Sequence, residues 1–115
     1  MLIEKIEHRW LAAFERTFAL CKVQTHEVVA LLTESQSRRV NVDLARLALQ
    51  RMGAQVFEVC LPTPALSAPA PIRSTGATDV IQNLAPVVAA LQRAHLIVDC
   101  TVEGMLHAPE LPAIL

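Results

Sequence analysis

The 115-residue chain has the length of one small domain, with 53% hydrophobic residues and a mean hydropathy of +0.40. Its formal net charge is −1 and its only aromatic residues are one Trp and three Phe, so it lacks the cations and stacking aromatics of nucleic-acid binders. Its apolar runs are far shorter than the roughly 20 residues that cross a membrane, which excludes a membrane protein.

Cysteine usage and the N-terminus indicate a cytoplasmic protein. The three cysteines are odd in number, widely spaced and set in or beside apolar segments, which favours core thiols in a reducing compartment. Charged residues between Glu4 and Arg9 interrupt any secretory signal. The excess of apolar residues in so short a chain indicates a face for another domain or subunit, so we expect a homo-oligomer.

The first predicted element is an amphipathic helix from about Leu2 to Lys22. Its apolar stripe has the three- and four-residue spacing of a helical packing face, at Ile3, Ile6, Trp10, Phe14, Phe18 and Cys21. An aromatic cofactor box built from Trp10, Phe14 and Phe18 is the less favoured alternative.

A strand, a helix and a second strand follow. Val28–Leu32 is a continuous apolar run, typical of a strand buried on both faces of a parallel sheet. Gly53 stands where a helix C-terminal glycine is favoured, and Glu58 within the strand Gln55–Leu61 favours a sheet edge. The helix between the strands is marked by the apolar positions Val40, Leu44, Leu47, Ala48 and Met52.

The second half begins with a proline-rich loop from Pro62 to Gly76. A helix is predicted from about Asn83 to Ala94, with Asn83 as a possible N-cap and Pro86 in the first turn. Leu96–Thr101 reads as the third strand, and His107–Leu115 as a loop entering a helix. Because the chain stops in apolar residues without a cap, we expect a fragment of a longer protein.

Alternating strands and helices predict the fold. We expect a three-layer Rossmann-like or flavodoxin-like α/β domain over residues 1–115, with a short parallel sheet preceded by a long N-terminal helix. The first and third strands are the most uniformly apolar and the second carries a charge, which favours strand order 2-1-3.

The carboxyl edge of such a sheet is where ligands collect, and three residues there are candidates for a site. His107 is the candidate for proton transfer or substrate contact, because it follows Gly104 at this edge and imidazole titrates near neutral pH; the alternative is a histidine bonded to loop backbone. Arg38 either holds an anionic group or is a solvated helix entry, and Asp99 is either a site carboxylate or a cap for a nearby amide.

Complete catalytic motifs are missing from the sequence. It has no glycine-rich phosphate loop, no nucleophile elbow and no histidine pair at metal-ligand spacing. We therefore expect no metal site and an incomplete catalytic constellation in this chain.

Several segments carry a family resemblance, with the Leu-His-Ala-Pro-Glu run the most specific. They resemble the N-terminal region of 2,5-dihydroxypyridine 5,6-dioxygenases, non-haem iron enzymes of nicotinate catabolism that share a superfamily with thermophilic metallo-aminopeptidases. The matching segments are Val40-Asn41, Val56–Leu61, Asn83–Ala85, Ala94–Asp99, Met105–Glu110 and Ile114-Leu115.

The resemblance implies that this chain is about the first third of such an enzyme. Its partner would be the C-terminal domain, which in the family holds Fe(II) through two histidines and an aspartate that have no counterpart here. The chain would contribute a pocket wall, and Leu106 and His107 align with a segment bordering the substrate pocket. The alternatives are the N-terminal domain of a metallo-aminopeptidase-like (leucyl aminopeptidase) hydrolase, and a non-catalytic assembly or binding module.

Overall fold

The fold is a three-stranded parallel sheet between two helical layers. The computed structural model describes residues 7–63, 78–105 and 107–115. In chain order the elements are α1 (His8–Leu20), β1 (Val28–Glu34), α2 (Arg39–Arg51), β2 (Gln55–Leu61), α3 (Ala85–Gln92), β3 (Leu96–Asp99) and α4 (Leu111–Ile114). The strands pair in parallel in the order β2-β1-β3, which confirms the predicted α/β class and strand order.

The central strand β1 divides the core into two layers. Because successive strand side chains point to opposite faces, Val29 and Leu31 pack with α1 and α2, whereas Ala30 and Leu32 pack with α3 and α4. All four side chains are fully buried. The continuous apolar run in the sequence therefore reflects a strand covered on both faces.

The strand β1 is two residues longer than predicted, because the polar groups at its end are satisfied. Thr33 is 1% exposed, and its hydroxyl donates a hydrogen bond of 2.9 Å to the Glu58 carboxylate. Glu34 is 4% exposed, and its carboxylate accepts a hydrogen bond from the backbone N–H of Val102. Buried polar residues are tolerated where they find partners, so polarity alone did not end the strand.

Glu58 on the edge strand β2 is the centre of an ion-pair cluster. Its carboxylate pairs with Arg39 at 3.2 Å and with Arg46, and it also accepts the Thr33 hydroxyl. Partial burial by itself would raise the pKa of this carboxyl, but the hydrogen bonds from Arg39 and Thr33 and the two positive charges lower it below its usual value. The charge in this strand predicted a sheet edge, and that prediction is confirmed.

Gly53 ends α2 as predicted. It has a φ of +85°, and the backbone N–H groups of Gly53 and Ala54 donate to the carbonyls of Gln50 and Leu49. This is the hydrogen-bond pattern of a Schellman cap, which requires the left-handed backbone that glycine adopts without strain.

Three predictions need correction: the packing face of α1, the cap of α3 and the burial of the cysteines. In α1 the buried residues are Leu11 and Phe18, while Trp10 is 39% exposed, so the packing face is rotated from the predicted stripe. Asn83 does not cap α3: it has a φ of +62°, and the helix begins at Ala85 with no side-chain cap. Of the three predicted core thiols, Cys21 and Cys60 are exposed, whereas Cys100 is partly buried and packs against the core.

Parts of some predictions lie outside the described residues. These are the start of the first helix, including Ile3 and Ile6, and most of the loop from Pro62 to Gly76. Among the helices that are described, none has the length and apolarity to span a bilayer.

Candidate functional site

The loop that follows β3 is organised by Asp99. One carboxylate oxygen accepts hydrogen bonds from the backbone N–H of Thr101 at 3.0 Å and from its hydroxyl at 2.6 Å. The other oxygen accepts the backbone N–H of Met105 at 2.8 Å, and the Thr101 hydroxyl oxygen accepts that of Gly104 at 3.0 Å. Asp99 therefore caps backbone amides, which is one of the two roles predicted for it.

The end of β1 is tied to the same loop. The Glu34 carboxylate accepts the backbone N–H of Val102 at 2.5 Å. The Ser37 hydroxyl donates to the carbonyl of Cys100 at 2.5 Å and accepts the backbone N–H of Glu34 at 2.9 Å. The bonds from Glu34 to Val102 and from Ser37 to Cys100 hold the turn before α2 against the loop after β3.

A cavity of about 500 Å³ lies between these two segments. The chain leaves β1 toward β2 on one side, while β3 pairs on the other side, so the cavity sits where the strand order reverses. Open parallel sheets bind their ligands at this position. The cavity is lined by Phe14, Gln36, Ser37, Arg38, Asn41, Ala45, Val98, Asp99, Cys100, Thr101 and Val102.

A smaller hollow of about 290 Å³ adjoins the cavity. Phe14, Arg38 and Asn41 line both spaces, whereas the remaining residues of the hollow line it but not the cavity: Trp10, Ala13, Val40 and Leu44. The two spaces together offer an apolar wall and a polar rim, a combination that suits a planar molecule with polar substituents.

The structure brings two of the four predicted site residues together. Arg38 and Asp99 both line the cavity, from the start of α2 and the end of β3. His107 is exposed in the turn before α4 and is not part of the described cavity lining. Leu106 lies outside the described residues.

Phe14, Gln36 and Asn41 are among the lining residues that were not selected as site candidates from the sequence. Phe14 was assigned to helix packing, and it packs against the core while also bordering the cavity. Gln36 and Asn41 stand close to Arg38 in the chain. Their position after the first strand was therefore an available signal.

Cys100 lines the cavity as a half-buried, free thiol. Burial raises its pKa, and the negative charges of Asp99 and Glu58 raise it further. Because the thiolate is the nucleophilic form, the raised pKa disfavours nucleophilic attack by this side chain.

The described residues do not fit a metal centre. Across 7–63, 78–105 and 107–115, no three His, Cys, Asp or Glu side chains group closely enough to hold an ion. Non-haem iron oxygenases bind the metal through a cluster of histidines and a carboxylate, and this part of the chain offers no such donor set.

Comparison with known proteins gives one family and one solved structure. The family model for 2,5-dihydroxypyridine 5,6-dioxygenase (NicX) matches residues 9–115. The structure of 2,5-dihydroxypyridine dioxygenase from Pseudomonas putida KT2440 matches with a TM-score of 0.81 and 27% sequence identity, over 96% of this chain. No curated protein matches.

The match covers the two chains unequally. This chain spans 32% of the solved enzyme, or about a third of its length. The family match nevertheless extends over nearly the whole of the present sequence. The chain belongs to the 2,5-dihydroxypyridine 5,6-dioxygenase family.

Proposed function

We propose that this chain is the N-terminal domain of a non-haem iron(II) ring-cleaving dioxygenase that acts on a dihydroxypyridine-type substrate. The observation that carries the proposal is the family match over residues 9–115, supported by the structural match to a dihydroxypyridine dioxygenase. In this proposal the domain supplies one wall of the substrate pocket. The iron ligands come from the C-terminal domain, as the family resemblance implies.

The pocket wall consists of the carboxyl edge of the sheet. Phe14 provides an apolar surface for the aromatic ring, and Arg38 and Asn41 provide polar contacts for ring substituents. Asp99 acts through the loop, because its hydrogen bond to Met105 fixes the backbone two residues before His107. The backbone N–H of Ala108 donates to the carbonyl of Met105 at 2.9 Å and closes the turn that contains the histidine.

His107 is the proposed proton-transfer residue. Its side chain is exposed on this domain and is therefore available to a site that the C-terminal domain completes. Opening a dihydroxypyridine ring requires that a substrate hydroxyl lose its proton, and imidazole readily accepts a proton near neutral pH. Proton transfer by a positioned side chain typically contributes about 10²–10⁴-fold in rate.

The test uses the complete protein encoded by the gene that carries this sequence. Supplied with Fe(II) and 2,5-dihydroxypyridine, it should consume oxygen together with the substrate. Leucine p-nitroanilide serves as the control substrate, because its hydrolysis without oxygen uptake would assign the protein to the aminopeptidase-like alternative.

The 115-residue chain by itself tests whether the iron ligands lie in the C-terminal domain. It should show no turnover and should contain no stoichiometric iron or zinc by elemental analysis. Stoichiometric iron in the purified chain would contradict the assignment of the metal ligands to the C-terminal domain.

A further inference from the structure

A second cavity, the α3–α4 groove, lies on the opposite side of the sheet from α1 and α2. It has a volume of about 450 Å³. Its walls are mainly apolar, and Leu84 at its rim is 37% exposed. Its lining includes Leu84, Ala89, Gln92, Glu110 and Ala113.

Glu110 places a carboxylate oxygen without a hydrogen-bond donor in this groove. Its Oε2 atom is buried and has no hydrogen-bond partner in the described structure. The side-chain amides of Asn83 and Gln92 also line the groove, and that of Gln92 donates to the carbonyl of Ala113 at 2.7 Å. A buried carboxylate oxygen without a donor is costly, so native proteins supply one.

We propose that the α3–α4 groove is the docking surface for the remaining part of the dioxygenase polypeptide, which places an arginine or lysine against Glu110 and apolar side chains along α3. The inference rests on the proposed function, because it takes the rest of the same enzyme as the occupant. Glu110 ends the Leu-His-Ala-Pro-Glu run that carries the most specific family resemblance, and the proposed function assigns no role to it.

Two observations favour this occupant. The solved relative is about three times as long as this chain, so a family member of that length has a large body of polypeptide to place against the domain. The unpaired carboxylate favours a cationic side chain on the segment of the remaining polypeptide that contacts the groove.

A second copy of this chain fits the groove less well. Symmetric dimers bring the same patch of both copies together. Among the described residues that line the groove, none is Lys or Arg, so such a contact would bring two carboxylates into an apolar interface without a cation. Buried charges without a partner disfavour association.

The experiment compares Glu110→Gln in the complete protein and in the 115-residue chain. In the complete protein, the substitution should increase amide hydrogen exchange in α3 at least tenfold and lower the melting temperature. In the 115-residue chain, it should leave the melting temperature unchanged or raise it, because Oε2 of Glu110 has no hydrogen bond there to lose. Asp79→Asn is the matched control, since it removes an exposed carboxylate outside the groove and should change neither protein.

A second variant tests the groove without altering Glu110. Ala89 is an exposed position on the groove wall of α3, so Ala89→Glu fills the groove and leaves the core intact. It should produce the same loss of protection in the complete protein.

Three outcomes would overturn the inference. Equal effects of Glu110→Gln in both proteins would make its role local to this domain. Equal exchange of α3 amides in the two wild-type proteins would show that nothing covers the groove. Loss of a dimer of the 115-residue chain on Glu110→Gln would make a second copy the occupant. Oxygen uptake is measured in parallel. An active enzyme whose groove is not protected from hydrogen exchange would refute this inference alone. An inactive protein whose groove is protected would refute only the proposed function.

Discussion

Replacing Asp99 by alanine should loosen the loop that borders the candidate site. The substitution removes the acceptor for three hydrogen bonds, two from Thr101 and one from the backbone N–H of Met105. Met105 is 5% exposed, so its N–H is left buried without a partner, at a cost of about 1–3 kcal/mol. The groups of Thr101 are partly exposed and turn toward water, so they add little. We expect a total loss of about 2 kcal/mol.

The assay is thermal unfolding of the 115-residue chain followed by circular dichroism. For a domain of this size, a loss of about 2 kcal/mol lowers the melting temperature by roughly 8 °C. Asp99→Asn, which keeps one carbonyl oxygen as an acceptor, should lose less. Asp79→Ala removes an exposed carboxylate and should stay within about 0.5 kcal/mol of the wild type. If Asp99→Ala melts like that control, the carboxylate does not hold the loop.

Three further predictions concern Glu58, Gly53 and His107. The folded-state pKa of Glu58 is lowered, so the stability that this residue contributes is present above the ordinary glutamate pKa of about 4.3 and is lost as the pH falls through the lowered value. Urea unfolding across this pH range should therefore show a loss of stability in acid that Glu58→Gln reduces. Identical pH profiles of the two proteins would contradict the ion-pair assignment. Gly53→Ala should destabilise the folded domain by about 1–3 kcal/mol in the same urea assay, because φ is +85° and the new Cβ would lie 2.9 Å from Cγ2 of Thr25. An unchanged unfolding midpoint would contradict the predicted strain at this cap. His107→Ala in the complete protein should lower turnover at least about tenfold with the melting temperature unchanged, whereas a matching stability loss would assign it a structural role.

The sequence predicted those parts of the fold that depend on local pattern. The apolar run in β1, the charge of Glu58 in β2 and the glycine at position 53 each have one dominant physical explanation. Burial on both faces, ion pairing at an edge and a left-handed helix cap are what the structure shows at these positions. Local pattern was sufficient because neighbouring residues in the chain carry the whole signal.

The remaining features depend on contacts between distant residues. Thr33 and Glu34 looked like the end of β1, but partners far away in sequence, Glu58 and Val102, allow them to be buried in the strand. Asn83 looked like a helix cap because its side chain suits that role, yet its backbone takes a left-handed turn instead.

The candidate site was predictable only in outline. The strand order placed Arg38 and Asp99 at one edge of the sheet, and both line the cavity. The contribution of Phe14 required knowing how α1 packs on α2. Whether His107 functions as proposed depends on the complete enzyme, so its role stays a prediction.

The central position of β1 also has a consequence for how the protein is made on the ribosome. β1 can pair with β2 within one strand–helix–strand unit, but β3 reaches β1 only across a long stretch of chain, as the hydrogen bond between Val28 and His95, 67 residues apart, illustrates. Pairings of that range form late, since the intervening chain must first be synthesised and its loop entropy lost. Until α3 emerges, the face of β1 formed by Ala30 and Leu32 lacks its helical cover. The nascent chain therefore passes through a stage in which this apolar face of the sheet is exposed, and exposed faces of this kind are prone to aggregation.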